Sequence, residues 1–402
     1  MLSFEDAQRR LLSLAPRLAA ERVTVDDACG RVLAEEVCAP VAIPAFDHSS
    51  MDGYAVASGE LEGPGPYSLE VRGESKTGAS PPRLVPKTAC RIFTGAELPP
   101  GADAVVMQEK VTRDGATATF AERPAPGKFV RKRGDDLAAG GIALTAGTRL
   151  SPAHLALAAM VDRAFLLVSR RPVVTILGTG DELRSPGSAA RPGSIPESNG
   201  VALRAMARAA GAIAHVGPYV RDDRAATEAA LEAALRTTDV LVTVGGVSVG
   251  DHDLVRPALE AIGVTIDFWK VAIKPGKPLA VGRRGDAIVL GLPGNPASAM
   301  VTFALFGVPL LRALAGDARP FPPPLTAKVS HAVAHEPGRR AFVRATLSRA
   351  DGAWMVTPLA NQASGAAISM AQADALMCVP QGSPGLVAGT DVDVYPLAAL
   401  GI

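Results

Sequence analysis

Three glycine- and proline-rich loops between residues 240 and 296 carry the residue types that hold anions. They read Gly245-Gly246-Val247-Ser248-Val249-Gly250-Asp251-His252-Asp253, Lys274-Pro275-Gly276-Lys277-Pro278 and Leu292-Pro293-Gly294-Asn295-Pro296. In the first, glycines permit close backbone approach, so successive N–H groups form an anion-binding nest. Asp251 and Asp253 follow at once. Their hard oxygens suit Mg2+ shared with a phosphate, while either also suits the cap of a helix starting near Leu254. In the second loop, two ammonium groups flank a turn stiffened by proline, which reduces the entropy lost on holding a ligand. In the third, Asn295 reads as an N-cap and Pro296 as the first helical residue, so that helix start is expected to favour an anion. Together the loops suit a phosphate-bearing ligand with a divalent metal beside it.

Other acids stand nearby in the pattern. Gly178-Thr179-Gly180-Asp181-Glu182 follows an apolar run, and a small turn there can place one carboxylate in a crevice. A turn of solvated acids is the plain reading of such a stretch alone; its position after a strand, near two comparable loops, favours a site. Asp222 and Asp223 read either as site acids or as caps of the next helix. The polar-aromatic loop 44–55 has the character of a functional loop. The stretches 91–96 and 131–136 reveal no chemistry by composition, and the basic run 131–133 is too short for nucleic-acid binding.

The elements that position these loops are legible from periodicity. Apolar runs at 173–177, 216–220, 240–244, 264–272 and 288–291 read as strands. They alternate with helical patterns at 201–210, 225–235, 254–262 and 296–315. This alternation predicts a doubly wound α/β sheet, with ligands beyond the carboxyl ends of its strands. Upstream, Ser3 and Asp6 cap a helix with Phe4, Ala7, Leu11 and Leu14 on one face, ended by Pro16. Short β runs (67–71, 90–93, 104–108) fill the region from 23 to 144, and Ser151-Pro152 starts a helix through 161. The proline cluster 320–324 reads as a stiff linker. Runs at 342–347, 354–358, 375–379 and 391–395 then predict a small C-terminal β domain.

A chain of 402 residues is long enough for several domains. Aromatics make up only 4% of it, so the core must rely on Ala, Val and Leu. A net charge of +1 gives no electrostatic footprint for nucleic acid or an anionic membrane. Cys29, Cys38, Cys90 and Cys378 are scattered, as expected for reduced, mostly buried thiols of a cytoplasmic protein. No basic-then-apolar leader is present, and no apolar stretch reaches the roughly 18 residues that span a bilayer.

Taken together, the motifs resemble the MoeA family of molybdenum insertases, which includes the E domain of gephyrin-type proteins. The resembling residues are Phe46-Asp47 through Met51-Asp52-Gly53-Tyr54-Ala55, 91–96, Arg133-Gly134-Asp135-Asp136 and Thr179-Gly180-Asp181-Glu182-Leu183. Ser198-Asn199, Arg221-Asp222-Asp223, 245–253, 273–278 and 291–296 complete the series in the family's order. The resemblance implies an α/β plus β fold in an elongated homodimer of four-domain subunits. Residues 1–45 with 140–170 would form a helical dimerisation domain, with a β-rich domain, 46–139, inserted in it. Residues 171–318 would be the α/β molybdopterin-binding domain and 319–402 a C-terminal β-barrel-like domain. The implied reaction takes adenylylated molybdopterin and molybdate to molybdenum cofactor and AMP, with Mg2+.

Residue by residue, the resemblance assigns Asp52, Thr94 and Asp136 to a β-domain contribution reaching the partner subunit's site. Glu182, Asp222 and Asp223 would line the α/β side, and Asp253, with Asp251 and Glu182, would hold Mg2+. Ser198, Asn199, Gly245, Gly246, Ser248 and Gly250 would bind substrate. Lys274, Lys277, Pro293 and Pro296 would shape the pocket for molybdate and phosphates, with Arg344 and Ser369 near the oxyanion. Implied partners are the adenylyltransferase of the same pathway and acceptor molybdoenzymes. Three stretches depart from the family pattern: His48-Ser49-Ser50 replaces the commoner Asn-Ser-Ala, Glu197 precedes Ser198-Asn199 where Asp is familiar, and His252 stands where Tyr or Ala is usual. A surface imidazole is the expectation for His252. Two rival readings are an adenylyltransferase on the related fold and a non-catalytic cofactor scaffold. The first would carry a hydroxyl residue at Val247, and the second would not need the acids.

Overall fold

The computed structural model describes residues 1–246, 254–350 and 352–402. The first helix, Phe4–Ser13, is capped by Ser3, whose hydroxyl accepts from the Asp6 N–H at 3.1 Å. Its buried stripe Phe4, Ala7 and Leu11 packs on the core of the α/β unit far along the chain, not on the β region that follows it. The Phe4 ring meets Phe306 and Phe342 edge-on, at centroid distances of 5.7 and 5.0 Å.

The N-terminal region holds three buried clusters among the described residues. Strands Ala20–Thr24 and Phe165–Ser169 pair antiparallel and close one around Leu33, Val37, Leu150 and Leu166. Helix Pro152–Met160 packs beside it, with Ser151 and His154 bonded to each other at its start. Between these elements runs a six-stranded sheet in the spatial order Ala104–Met107, Gly53–Val56, Thr88–Ile92, Tyr67–Ser75, Thr117–Phe120 and Val111–Asp114.

The α/β unit is built on a sheet in the order Ile213–Val216, Val173–Gly178, Val240–Val244, Ala287–Leu292, Ala280–Arg284 and Thr265–Trp269. The first four strands are parallel and the last two antiparallel. Alternate residues face opposite cores, as strand geometry requires. Val240, Val242, Ile288 and Leu290 join the core beneath helices Asn199–Ala209 and Pro296–Thr302, whereas Leu241 and Val289 join that beneath Arg224–Leu235 and Val255–Ala261. The doubly wound expectation therefore holds, with an antiparallel edge added. One strand falls earlier than the sequence predicts, at Ile213–Val216 and not 216–220. Gly217-Pro218 ends it, because Pro218 has no N–H for the ladder. Val220 keeps a single bridge to Thr179.

The helix running from Pro296 to Leu314 widens by one π-type turn at Phe303–Gly307. Pro309 cannot donate to Leu305 O, and Gln8 Nε2 donates to that carbonyl instead, at 2.9 Å. At 19 residues this helix is long and apolar enough to cross a membrane, contrary to the reading that no such stretch exists. Its most apolar window is 83% buried inside the protein, so it is a core helix. Of the four free cysteines only Cys90 and Cys378 are buried, fewer than expected.

Five strands after the proline cluster close into a barrel. Arg340–Ala350 pairs with both Ala353–Pro358 and Ala375–Val379, and Leu325–Val329 with Ala353–Pro358 and Asp391–Pro396. Asp391–Pro396 to Ala375–Val379 completes the ring and leaves no open edge there. The short strand Ile273–Lys274 of the α/β unit adds to the barrel beside Arg340–Ala350. That pairing fixes the lysine-bearing loop against the C-terminal domain.

Candidate active site

The carboxyl ends of the central parallel strands interlock through their loops. Thr179 N–H donates to Val244 O, Gly180 N–H to Val220 O and Gly245 N–H to Leu292 O, each at 3.1 Å. Asn199 donates from Nδ2 to Gly294 O at 2.8 Å, and its Oδ1 is buried without a donor among the described residues. Asp222 N–H reaches Asp181 Oδ1 at 3.4 Å. These bonds bring Glu182, Asp222, Ser198, Asn199, Gly245, Gly246 and Pro293 to one rim. The Glu182 carboxylate lies over Gly180, whose φ is +141°, and a methyl group at Gly180 would overlap it. Glu182 is exposed, and no side chain among the described residues pairs with it.

Two acids or termini behave differently from the site reading. Asp223 is the N-cap of helix Arg224–Leu235, its Oδ1 accepting from Ala226 N–H at 2.7 Å. The start of helix Pro296–Thr302 is not an open anion seat. Its Ala297 and Ser298 N–H groups donate to Ser364 O, at 3.1 and 3.3 Å, while Asn295 Nδ2 donates to Ser364 Oγ at 2.9 Å. A carbonyl from the C-terminal domain thus takes the place expected for an anion. Ser248, Gly250, Asp251, His252 and Asp253 lie outside the described residues.

Beside that rim, a cavity of about 860 Å³ opens between the 274–278 loop and the C-terminal barrel. Lys274, Lys277, Arg339, His331 and His335 line it, and no Asp or Glu does among the described residues. Both lysines are exposed and unpaired among the described residues. Gly276 between them has φ +101°, and a methyl group there would overlap Thr302 Oγ1. Gly276→Ala is therefore expected to cost about 3 kcal/mol of stability and to weaken anion binding. Chemical denaturation checks the first effect; a loss below about 0.5 kcal/mol would contradict this account of the turn.

Arg344 stands behind the cavity wall with no exposed surface. Nη2 donates to Asn361 O and Ala363 O at 3.2 and 3.0 Å, and Gln362 bonds the Arg344 backbone in both directions. Its Nε and Nη1 are buried without an acceptor, and no carboxylate pairs with it among the described residues. Burial pulls its pKa below the usual arginine value. An uncompensated guanidinium in such a place is costly unless an anion joins it. Ser369 is also buried, and its hydroxyl donates to Ala366 O at 2.9 Å.

The three opaque N-terminal stretches converge. Ser49 N–H donates to Ala96 O, Gly95 N–H to Ser49 O, and His48–Ser49 pairs with Val130–Arg131. There Asp52 Oδ1 accepts from both the N–H and the hydroxyl of Thr94, at 2.7 and 2.8 Å. The Thr94 N–H, then its hydroxyl, holds the Asp52 carboxyl below the usual carboxylate range. Asp136 accepts from Arg131 Nη2 at 2.7 Å. All these bonds stay within the N-terminal region, so within one subunit Asp52, Thr94 and Asp136 are not tied to the α/β rim.

Comparison with known proteins decides the family. Three family models match consecutive parts of the chain: the MoeA N-terminal region over 2–161, a probable molybdopterin binding domain over 175–313 and the MoeA C-terminal region over 326–397. The chain belongs to the MoeA family. A molybdopterin molybdenumtransferase of Nostoc sp. is 37% identical over 99% of this chain and 94% of its own length. Molybdopterin molybdenumtransferase 2 of Mycobacterium tuberculosis is 36% identical over 99% and 100%. Among solved structures, a MoeA protein of Pyrococcus horikosii matches with TM-score 0.81 and 31% identity over 98% of this chain and 99% of its own. As a MoeA protein, the chain has features that sequence reading missed. Ser364 and the barrel-loop residues His331, His335 and Arg339 all line the cavity. The only signal for them was two histidines four apart before Pro337-Gly338.

Proposed function

We propose that this chain is a molybdenum insertase, a molybdopterin molybdenumtransferase that converts adenylylated molybdopterin and molybdate to molybdenum cofactor and AMP. The observation that carries the reading is the buried Arg344, without a carboxylate among the described residues, behind a cavity that holds Lys274 and Lys277 and no described acid. A divalent tetrahedral oxyanion would supply the charge this place lacks, and guanidinium and ammonium donors are the groups that bind such anions. Asn199 Oδ1, a buried acceptor without a donor among the described residues, suits an N–H or O–H of a bound pterin. Gly245, Gly246 and the loop 247–250 would carry the phosphates, while Ser198, Pro293 and Pro296 shape the rim. Ser369 would bind the oxyanion by turning its hydroxyl from Ala366 O.

Mg2+ fits the acids present. It binds through one or two carboxylates plus substrate phosphates, and Glu182 and Asp222 offer hard oxygens on adjoining loops. Asp251 and Asp253 are further ligand candidates. When bound, Mg2+ would offset charge on the phosphoanhydride. Asp223 supports the loop that carries Asp222 by capping its helix.

The protein works as a homodimer in this reading, with Asp52, Thr94 and Asp136 of one subunit facing the α/β rim of its partner. The division into 1–45 with 140–170, 46–139, 171–318 and 319–402 follows from it, as does a cytoplasmic location among the pathway's adenylyltransferase and acceptor molybdoenzymes. Incubated with adenylylated molybdopterin and molybdate, the protein should convert a cofactor-free molybdoenzyme to its active form. Absence of that activation, with both substrates supplied, would contradict the assignment.

A further inference from the structure

Away from the site, five guanidinium groups gather where the N-terminal region, the α/β unit and the C-terminal domain meet. Arg31, Arg149, Arg170, Arg171 and Arg312 line a pocket of about 20 Å³, with Asp317 the only acid in its wall among the described residues. Arg31, just 9% exposed, pairs with Glu21 and donates to Ser169 O at 2.8 Å. Arg170 forks onto Asp239, with both bonds at 2.7 Å. Arg171 is exposed to solvent, so four less exposed guanidinium groups face three carboxylates (Glu21, Asp239 and Asp317), leaving one positive charge without a carboxylate among the described residues.

The remaining arginines rely on weaker acceptors. Arg149 donates to Ala209 O at 3.1 Å and Arg312 to Ala399 O at 3.1 Å, both carbonyls at the ends of other elements. Arg312 Nε is buried with no acceptor among the described residues. Burial, followed by the charge of Arg149, disfavours the protonated form of Arg312, and Asp317 only partly opposes this. Like charges brought together out of water need a counter-charge. The pocket has room for a single water-sized particle, not for a tetrahedral oxyanion.

We propose that this pocket is a structural site for one chloride-sized monovalent anion that clamps the N-terminal region to the α/β unit. Crystals of the full chain grown in sodium bromide should show an anomalous bromide peak among Arg149, Arg170 and Arg312. In solution, replacing gluconate by chloride at constant ionic strength should raise the first thermal transition by about 2 °C. Arg149→Gln keeps an N–H donor for Ala209 O but removes a charge, so that rise should vanish in the variant. An ordered water in place of bromide, or an equal rise in both proteins, would overturn the site. Neither readout depends on the insertase reaction.

Discussion

Arg344→Gln should weaken molybdate binding by about 100-fold while leaving the fold intact. Two charge-assisted hydrogen bonds from Nε and Nη1 are lost, and at the low end of their usual strength, about 1.5 kcal/mol each, they account for a loss of that order. Stability should move by no more than about 1 kcal/mol, because two effects oppose. Removing a buried charge that lacks a carboxylate relieves desolvation, whereas losing Nη2 frees one of the two carbonyls it serves. The glutamine amide retains a donor for the other. Calorimetric titration with molybdate, paired with a denaturation curve, separates the effects. Molybdate affinity within about threefold of wild type would remove Arg344 from the oxyanion seat.

The second expected result concerns assembly. Asp52→Ala and Glu182→Ala should each lower turnover by about 100-fold with the fold kept, since both change a solvent-facing carboxylate. Coexpression of the two variants makes half the dimers mixed. In each mixed dimer one site combines both defects and the other has neither, if Asp52 serves the partner subunit's rim. Activity should therefore recover to about a quarter of wild type. A mixture no more active than its better parent would mean that Asp52 and Glu182 do not meet across a subunit boundary. The bonds of Asp52, confined to its own region, are what motivate the test.

Much of the α/β frame was legible because its signals are local. The apolar run of Val240–Val244 is buried on both faces, and the structure starts and ends that strand where the sequence does. The glycine and lysine loops were found for the same reason: their residue types are set by backbone conformation and charge. What failed was non-local. Gly217-Pro218 shifted a strand that apolar content alone extended to Val220. The start of helix Pro296–Thr302 carries every sign of an anion seat, yet Ser364 of a distant domain brings its carbonyl there. Asp223 looks like its neighbour Asp222 in sequence, and only the bond to Ala226 N–H distinguishes the cap. Arg344 came from family resemblance, because nothing in a β run announces a buried arginine. Its uncompensated state is a property of the packed barrel and of nothing shorter.

The most direct test of the insertase reading is AMP release from adenylylated molybdopterin, measured with Mg2+ in the presence and absence of molybdate. Release should depend on molybdate and fall in Arg344→Gln. Release at the same rate without molybdate, or none in either condition, would contradict the insertase reading.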